Sequence, residues 1–177
     1  MNPKPIISRP EPSEYPESQK LYIDIVETND LLSYFESQTE SVASIAPALS
    51  EEQLLFRYAP NKWSIKDIFA HIIDCERIYS YRMLCIARGD KTELPGFEEN
   101  DYAVTAIADA RDVNDIINEY KAVRAATTEL LKSFDEQMLL RTGVANGSPR
   151  SVRSMAYVAA GHEIHHLGVI KERYLGK

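Results

Sequence analysis

The sequence is short of positive charge and of long apolar runs, and each shortage excludes a class of protein. Its 177 residues contain 27 acidic and 20 basic side chains, which gives a formal net charge of −7. Proteins that bind nucleic acid through a general positive field need many Lys and Arg contacts to phosphate, so no nucleic-acid partner is expected. No apolar run approaches the roughly 20 residues of a membrane-spanning helix, so no membrane association is expected either.

Cysteine is also scarce. The only two, Cys75 and Cys85, lie ten positions apart in one predicted helix. That spacing corresponds to about 15 Å along a helix axis, which is too far for a disulfide. Free thiols, together with a start that lacks the apolar centre of a secretory signal, predict a cytoplasmic location.

The first twenty residues differ in composition from the rest of the chain. They contain five of the nine prolines and show little apolar periodicity. This pattern predicts an extended N-terminal arm over residues 1–20, followed by a single domain over residues 21–177.

Four stretches of the domain have the apolar periodicity of amphipathic helices. Their predicted bounds are about 29–46, 64–89, 113–134 and 151–175. The connection over residues 89–112 is longer than is usual between packed helices, which predicts a crossover or a lid. No segment shows convincing strand alternation. The sequence therefore predicts an all-α four-helix bundle with a long middle connection.

All four histidines fall in the second and fourth predicted helices, and their spacing favours a metal site. His162 and His166 are four residues apart and share an inward-facing side of the last helix. His71 flanks the buried stripe of the second helix. If the two helices are neighbours, three imidazoles meet and, with a position left open, suit zinc or nickel. His165 lies about 100° around the helix from His166 and is the weaker candidate.

Two other interpretations of these histidines compete with the metal site. A single histidine in such a position is more often an ordinary core or surface residue. Three buried imidazoles would each need a hydrogen-bond partner, and a shared ion removes that requirement. Residues 162–166 also spell the H-E-x-x-H signature of zinc proteases, but the extension that supplies a third ligand does not follow. Glu163 is therefore expected beside the site rather than in it.

Three residues on the second helix are candidates for supporting roles. Asp74 follows His71 by about one turn and is the candidate catalytic residue, orienting an imidazole or acting as a base. Its alternative role is that of a solvated residue or an ion-pair partner. Cys75 could supply a thiolate ligand, although a buried inert thiol is favoured. Arg82 is expected to pack its stem at the edge of the apolar stripe with its head in water.

Several short segments resemble the DinB-like superfamily over about residues 25–175. The segments NKWSI (61–65) and AHIID (70–74) resemble its second helix, RGD (88–90) and LPGF (94–97) the following connection, and GHEIHH (161–166) its last helix.

This resemblance implies an up-up-down-down four-helix bundle whose metal-binding histidines map onto His71, His162 and His166. It also implies a zinc or nickel ion and a homodimer. The implied activity is that of a metal-dependent hydrolase or thiol transferase with a small-molecule substrate. Relatives often have Gln where this chain has Val169. The alternative is a non-catalytic metal-binding or interaction module in which the metal is structural.

Overall fold

The computed structural model describes residues 5–176 and is mainly helical. Its α-helices are α1 Lys20–Asp24, α2 Leu31–Ala43, α3 Glu51–Leu55, α4 Ile65–Ala87, α5 Glu99–Ala106, α6 Val113–Lys132, α7 Glu136–Leu140 and α8 Val152–Val169. A π-helical turn, Ile170–Tyr174, continues α8. The four longest helices, α2, α4, α6 and α8, are the four that periodicity predicted. Over these residues, no helix combines the length and apolarity needed to cross a bilayer.

The long helices begin where the sequence offers capping side chains. At the start of α4, the Ser64 hydroxyl accepts from the Asp67 N–H, and the Asp67 carboxylate accepts from the Ser64 N–H. Asp112 caps α6, and Ser151 caps α8. Each such cap stabilises its helix by about 1 kcal/mol, so local chemistry fixes these boundaries.

The four long helices pack so that α2 and α4 each contact both α6 and α8. Their inner faces form an apolar core that includes Phe35, Met83, Leu131 and Val158, all essentially inaccessible to solvent. Because α4 and α8 are direct neighbours, the histidine of one helix can meet the histidines of the other.

A two-stranded antiparallel hairpin, β1 Thr142–Ala145 and β2 Ser148–Ser151, precedes α8. The expectation that the chain has no strand was therefore wrong. Asn146 and Gly147 form the two-residue loop, and both have positive φ angles, 51° and 67°. Asn-Gly is the typical pair for such a hairpin turn, whereas each four-residue strand is too short for clear alternation.

The long connection after α4 contains α5 and is joined to the hairpin. The Leu94 N–H donates to the Val144 carbonyl, and the Asn146 N–H donates to the Leu94 carbonyl. A Cβ at Gly96 would lie 2.2 Å from the Asn146 side-chain oxygen, so any larger residue there would have to displace the Asn146 side chain. The connection is thereby held against the hairpin. Its role as a lid stays a prediction.

The part of the predicted arm that the structure describes lies against the bundle. Ile7 and Tyr15 are buried in the same core cluster as the helices. Farther along, α1 packs on α8 so closely that a Cβ at Gly161 would lie 1.8 Å from the Tyr22 carbonyl oxygen. Residues 1–4 of the arm lie outside the described residues, and the division into arm and domain stays a prediction.

Candidate metal centre

The structure brings together the three histidines that spacing selected. His71 extends from α4, and His162 and His166 extend from α8. The Nε2 atom of His162 lies 3.0 Å from Nε2 of His71 and 3.1 Å from Nε2 of His166. Nitrogen ligands about 2.05 Å from a tetrahedral zinc ion stand about 3.3 Å apart, so these distances are close to those of a coordination shell.

His165 is not part of this group. Among the described residues, the metal-ligating cluster consists of His71, His162 and His166, whose candidate ligand atoms lie within 4.8 Å of one another. The His165 ring instead makes an edge contact with Tyr22, at a centroid distance of 5.6 Å.

Burial keeps the three imidazoles neutral. It lowers the pKa of His71 to about 4 and that of His166 to about 3. The pKa of His162 lies well below its usual value, first because of burial and then because His166, His71 and His165 are nearby. Neutral imidazole is the form that donates a lone pair to a metal ion, so at neutral pH the cluster needs no deprotonation before it binds one.

Hydrogen bonding alone does not satisfy this arrangement. A ring nitrogen carries either one hydrogen or one in-plane lone pair. Nε2 of His162 can therefore form a proper hydrogen bond with only one of its two neighbours, although both lie within 3.1 Å. A cation accepts all three lone pairs at once, so the donor set fits a metal ion better than it fits a hydrogen-bonded trio.

Aromatic side chains surround the imidazoles and hold their orientations. The Trp63 ring lies 4.6 Å from the His71 ring and is roughly stacked on His166 at 6.3 Å. The rings of Tyr22 and Tyr79 form T-shaped pairs with His162, at centroid distances of 5.5 and 6.1 Å. Trp63 directly precedes the cap of α4, so the start of that helix also determines the position of this ring.

One side of the cluster opens into a cavity of about 260 Å³. Its wall includes the three histidines together with Cys75, Arg82 and Arg150. A small molecule in the cavity can therefore approach the imidazoles directly, as the predicted open coordination position requires.

Cys75 and Asp74 occupy different surroundings. The Cys75 sulfur lies 3.6 Å from Nε2 of His71, and burial raises the pKa of its thiol to about 12. Asp74 forms a 3.8 Å ion pair with Arg77 and does not line the cavity. Burial raises the pKa of the Asp74 carboxyl, which Arg77 partly counteracts. A catalytic role for Asp74 stays a prediction.

The Asp74→Asn substitution tests that role. If Asp74 only forms an ion pair with Arg77, the rate of the metal-loaded enzyme should stay within about threefold of wild type, because a solvated ion pair contributes little free energy. A catalytic base would instead lose about a hundredfold or more on this substitution. Steady-state rates of both proteins, at equal metal occupancy, distinguish the two results.

Sequence reasoning missed a buried ionic network beside the cluster. The Arg124 guanidinium donates to both oxygens of Glu76, at 2.9 and 2.7 Å, and to Glu163 at 2.7 Å. The Tyr120 hydroxyl donates to the same Glu163 oxygen at 2.7 Å, and Phe35 lies 4.5 Å from the guanidinium carbon. All four long helices therefore meet at Arg124.

This network carries a net negative charge. Burial alone would lower the pKa of Arg124, but the carboxylates of Glu163 and Glu76 raise it well above its ordinary value. One cation between two carboxylates leaves a net charge of −1, and Glu163 directly follows His162 in the chain. A sequence signal existed, because Arg124 lies between Tyr120 and Thr127 on the inner face of α6.

The position of Arg82 corrects a second expectation. Its head does not extend into water, since the residue is 5% exposed and donates to the Pro95 carbonyl at 2.6 Å. Arg150, which sequence analysis did not single out, is equally buried and bonds the Ala145 carbonyl at 3.1 Å. The long connection supplies Pro95 and the hairpin supplies Ala145, and neither contact can be read from local sequence.

The lowered pKa values predict that metal affinity depends little on pH in the mildly acidic range. Imidazoles with the ordinary pKa of about 6.5 would be mostly protonated at pH 5.5, and three of them would cost about a thousandfold in affinity. With pKa values of about 4 for His71 and about 3 for His166, proton competition begins only as the pH falls toward 4. Zinc competition titrations at pH 7.5 and 5.5 should differ by less than about tenfold. A thousandfold fall would contradict the buried, neutral cluster.

Comparisons with known proteins agree with this architecture. Residues 34–170 match the sequence profile of the DinB superfamily. A protein of Oceanobacillus iheyensis, named "Putative metal-dependent hydrolase OB0413", is 26% identical over 159 residues, which cover 84% of this chain and 86% of that protein.

Among solved structures, YfiT from Bacillus subtilis superposes with a TM-score of 0.69, at 16% identity and over 94% of this chain and 93% of that one. It is described as "a probable metal-dependent hydrolase with an unusual four-helix bundle topology". At this level of identity the likeness shows the fold, and it confirms the predicted all-α four-helix bundle.

Proposed function

This chain belongs to the DinB superfamily, and we propose that it is a metal-dependent hydrolase of a small molecule, with His71, His162 and His166 as the ligands of one zinc or nickel ion. A single observation carries the proposal: three neutral imidazoles from two helices, those of His71 and His162 buried and that of His166 partly buried, converge in the wall of an open cavity. The name of the Oceanobacillus relative, "Putative metal-dependent hydrolase OB0413", supports it.

The donor set favours borderline transition metals. Three imidazole nitrogens suit zinc and nickel, whereas magnesium and calcium prefer oxygen ligands. Closed structural zinc sites normally have four protein ligands, while catalytic sites have three and an open position. The three histidines and the adjoining cavity therefore support a catalytic ion over the alternative of a purely structural one.

A divalent ion held by His71, His162 and His166 would supply Lewis acidity and would lower the pKa of a water or thiol bound to it. The chain's own residues prepare the place for it. Trp63, Tyr22 and Tyr79 contact the imidazole rings and restrict their orientations.

Thiol transfer is the second candidate function. It needs the same open position, and the two guanidinium groups in the cavity wall, Arg82 and Arg150, favour it because positive charge stabilises a thiolate. We also propose that the protein acts as a homodimer, as the family resemblance implies, and that it is located in the cytoplasm, as its free thiols indicate.

The experiment compares metal-free, zinc-loaded and nickel-loaded protein on two sets of substrates. The first set consists of chromogenic esters, amides and phosphoesters, and the second pairs small thiols with a chromogenic electrophile. Turnover that requires metal and disappears in His166→Ala, but persists in His165→Ala, supports the proposal, and the responding set decides between hydrolysis and transfer. The structural alternative would be favoured by two results together: the protein binds the metal tightly but turns over neither set of substrates, and it unfolds when the metal is removed.

A further inference from the structure

Two buried guanidinium groups line the cavity without a carboxylate partner. Arg82 and Arg150 are each 5% exposed, and both contribute to the cavity wall. Within residues 5–176, neither forms an ion pair. Arg124, which is buried to a similar extent, has two carboxylates around it. Because a buried charge is normally paired, the two arginines of the cavity call for an explanation.

Neutral groups hold both arginines in place. The Pro95 carbonyl accepts from Arg82, whose guanidinium also lies 5.9 Å from the centre of the Phe97 ring. The Ala145 carbonyl accepts from Nε of Arg150, and the Gln19 side chain accepts from Nη1. These contacts fix the guanidinium positions but leave their charge uncompensated, so the two groups are preorganised for a partner that is not part of the chain.

Some of their N–H groups have no partner within residues 5–176. Nε and Nη1 of Arg82 and Nη2 of Arg150 have no hydrogen-bond partner among residues 5–176. Over the same residues, no side-chain nitrogen or oxygen is both fully buried and without a partner. These three nitrogens are therefore not sealed from solvent, and because both arginines line the cavity, a ligand there can accept their hydrogens.

The charges around the cavity favour an anion. Burial lowers the pKa of both guanidinium groups, and the proximity of Arg82 lowers the pKa of Arg150 further. Glu99, in the exposed first turn of α5, is the acidic residue of the cavity wall and pairs with neither arginine. The cavity is therefore a local exception in a chain of net charge −7. A planar guanidinium matches the paired oxygens of a carboxylate or phosphate.

We infer that Arg82 and Arg150 form an oxyanion subsite, and that the substrate carries a carboxylate or phosphate group that binds there while its reacting group faces the histidines. The second half of this inference rests on the proposed function, whereas the first stands on the two arginines alone. Arg82 follows His71 by eleven residues, or about three turns and 16 Å of α4. The anionic and reacting groups of the substrate therefore lie at different points along that helix.

The test titrates metal-free protein with succinate, with its neutral diamide succinamide, and with inorganic phosphate, followed by calorimetry and by the fluorescence of Trp63, which lines the cavity. Saturable binding of succinate or phosphate, at least about tenfold tighter than succinamide, is expected. The tighter of the two anions identifies the subsite as one for carboxylate or for phosphate. If neither anion binds, or if succinamide binds as well as they do, the inference is overturned.

Variants locate the binding on the two arginines. Arg82→Met and Arg150→Met should each weaken anion binding by about tenfold or more, and Arg82→Lys should retain part of it. Arg141→Met is the matched control, because that guanidinium also bonds a backbone carbonyl, that of Ala87, but does not line the cavity. Equal losses in Arg141→Met and the cavity variants would contradict the assignment. If the Met variants do not fold, the comparison of succinate with succinamide on the wild type still decides.

Zinc titrations separate this inference from the proposed function. Arg82→Met should bind zinc like the wild type, and His162→Ala should lose zinc but still bind the anion. If the wild type binds the anion but not zinc, the proposed function is contradicted and the anion subsite is not. If it binds zinc but shows no preference for the anions, the subsite is contradicted and the proposed function is not.

Discussion

Replacing His162 by Ala is expected to lower zinc affinity by about a thousandfold or more and to abolish metal-dependent turnover. Its Nε2 atom lies between the other two ligand atoms, 3.0 Å from that of His71 and 3.1 Å from that of His166. Loss of a partner that merely orients a ligand typically costs about 10–100-fold in metal affinity, so loss of the central ligand costs more. Competition with a chromophoric chelator measures the affinity, and elemental analysis after dialysis gives the occupancy.

The neighbouring histidine provides the control for this experiment. His165→Ala changes the same helix and removes the same side chain, but the ring of His165 lies outside the cluster. We expect its zinc affinity to stay within about threefold of wild type, because no ligand is lost. Thermal unfolding of both metal-free variants establishes that they are folded. Equal losses in the two variants would indicate a change in α8 as a whole and would contradict the ligand assignment.

The second large effect is expected on stability. Arg124→Met should lower the free energy of unfolding by about 3–5 kcal/mol, because it leaves two buried carboxylates, Glu76 and Glu163, without their cation. Both are almost inaccessible, with side-chain exposures of 4% and 0%. Urea unfolding of the metal-free protein, followed by circular dichroism, measures the change.

Two further variants show whether unpaired charge causes this loss. Lys121→Met on the same helix removes an ion pair with Glu40 whose side chains are 40% and 78% exposed, and should cost at most about 1 kcal/mol. Adding Glu76→Gln and Glu163→Gln to Arg124→Met removes the unpaired charges and should restore part of the lost stability. An Arg124→Met protein as stable as Lys121→Met would show that the network does not hold the helices together. If Arg124→Met does not fold, the triple variant provides the comparison.

Local features of the sequence predict much of this fold. The four long helices follow from apolar periodicity, and the boundary of α4 from the reciprocal bonds of Ser64 and Asp67, because both depend on residues within a few positions. The pairing of His162 with His166 is equally local, since four residues make about one helical turn. That His71 joins them depends on α4 and α8 being neighbours, which the family resemblance implied and the structure shows.

Contacts between distant parts of the chain explain what was missed. Arg82 lies at the edge of an apolar stripe, where a long charged side chain usually reaches water, but the connection that covers its head cannot be deduced from the helix itself. The partners of Arg124 lie 48 and 39 residues away on two other helices. The hairpin was missed for a different reason. Asn146-Gly147 is a local turn signal that predicts a hairpin, and it was present in the sequence.

X-ray absorption spectroscopy of zinc-loaded protein tests the central claim most directly, because it reports the number and type of atoms around the ion. The arrangement of His71, His162 and His166 predicts one zinc per chain, with three imidazole nitrogens at about 2.0–2.1 Å and an exchangeable oxygen ligand. Failure to retain zinc, or a sulfur ligand at about 2.3 Å contributed by Cys75, would contradict a three-histidine centre with an open position.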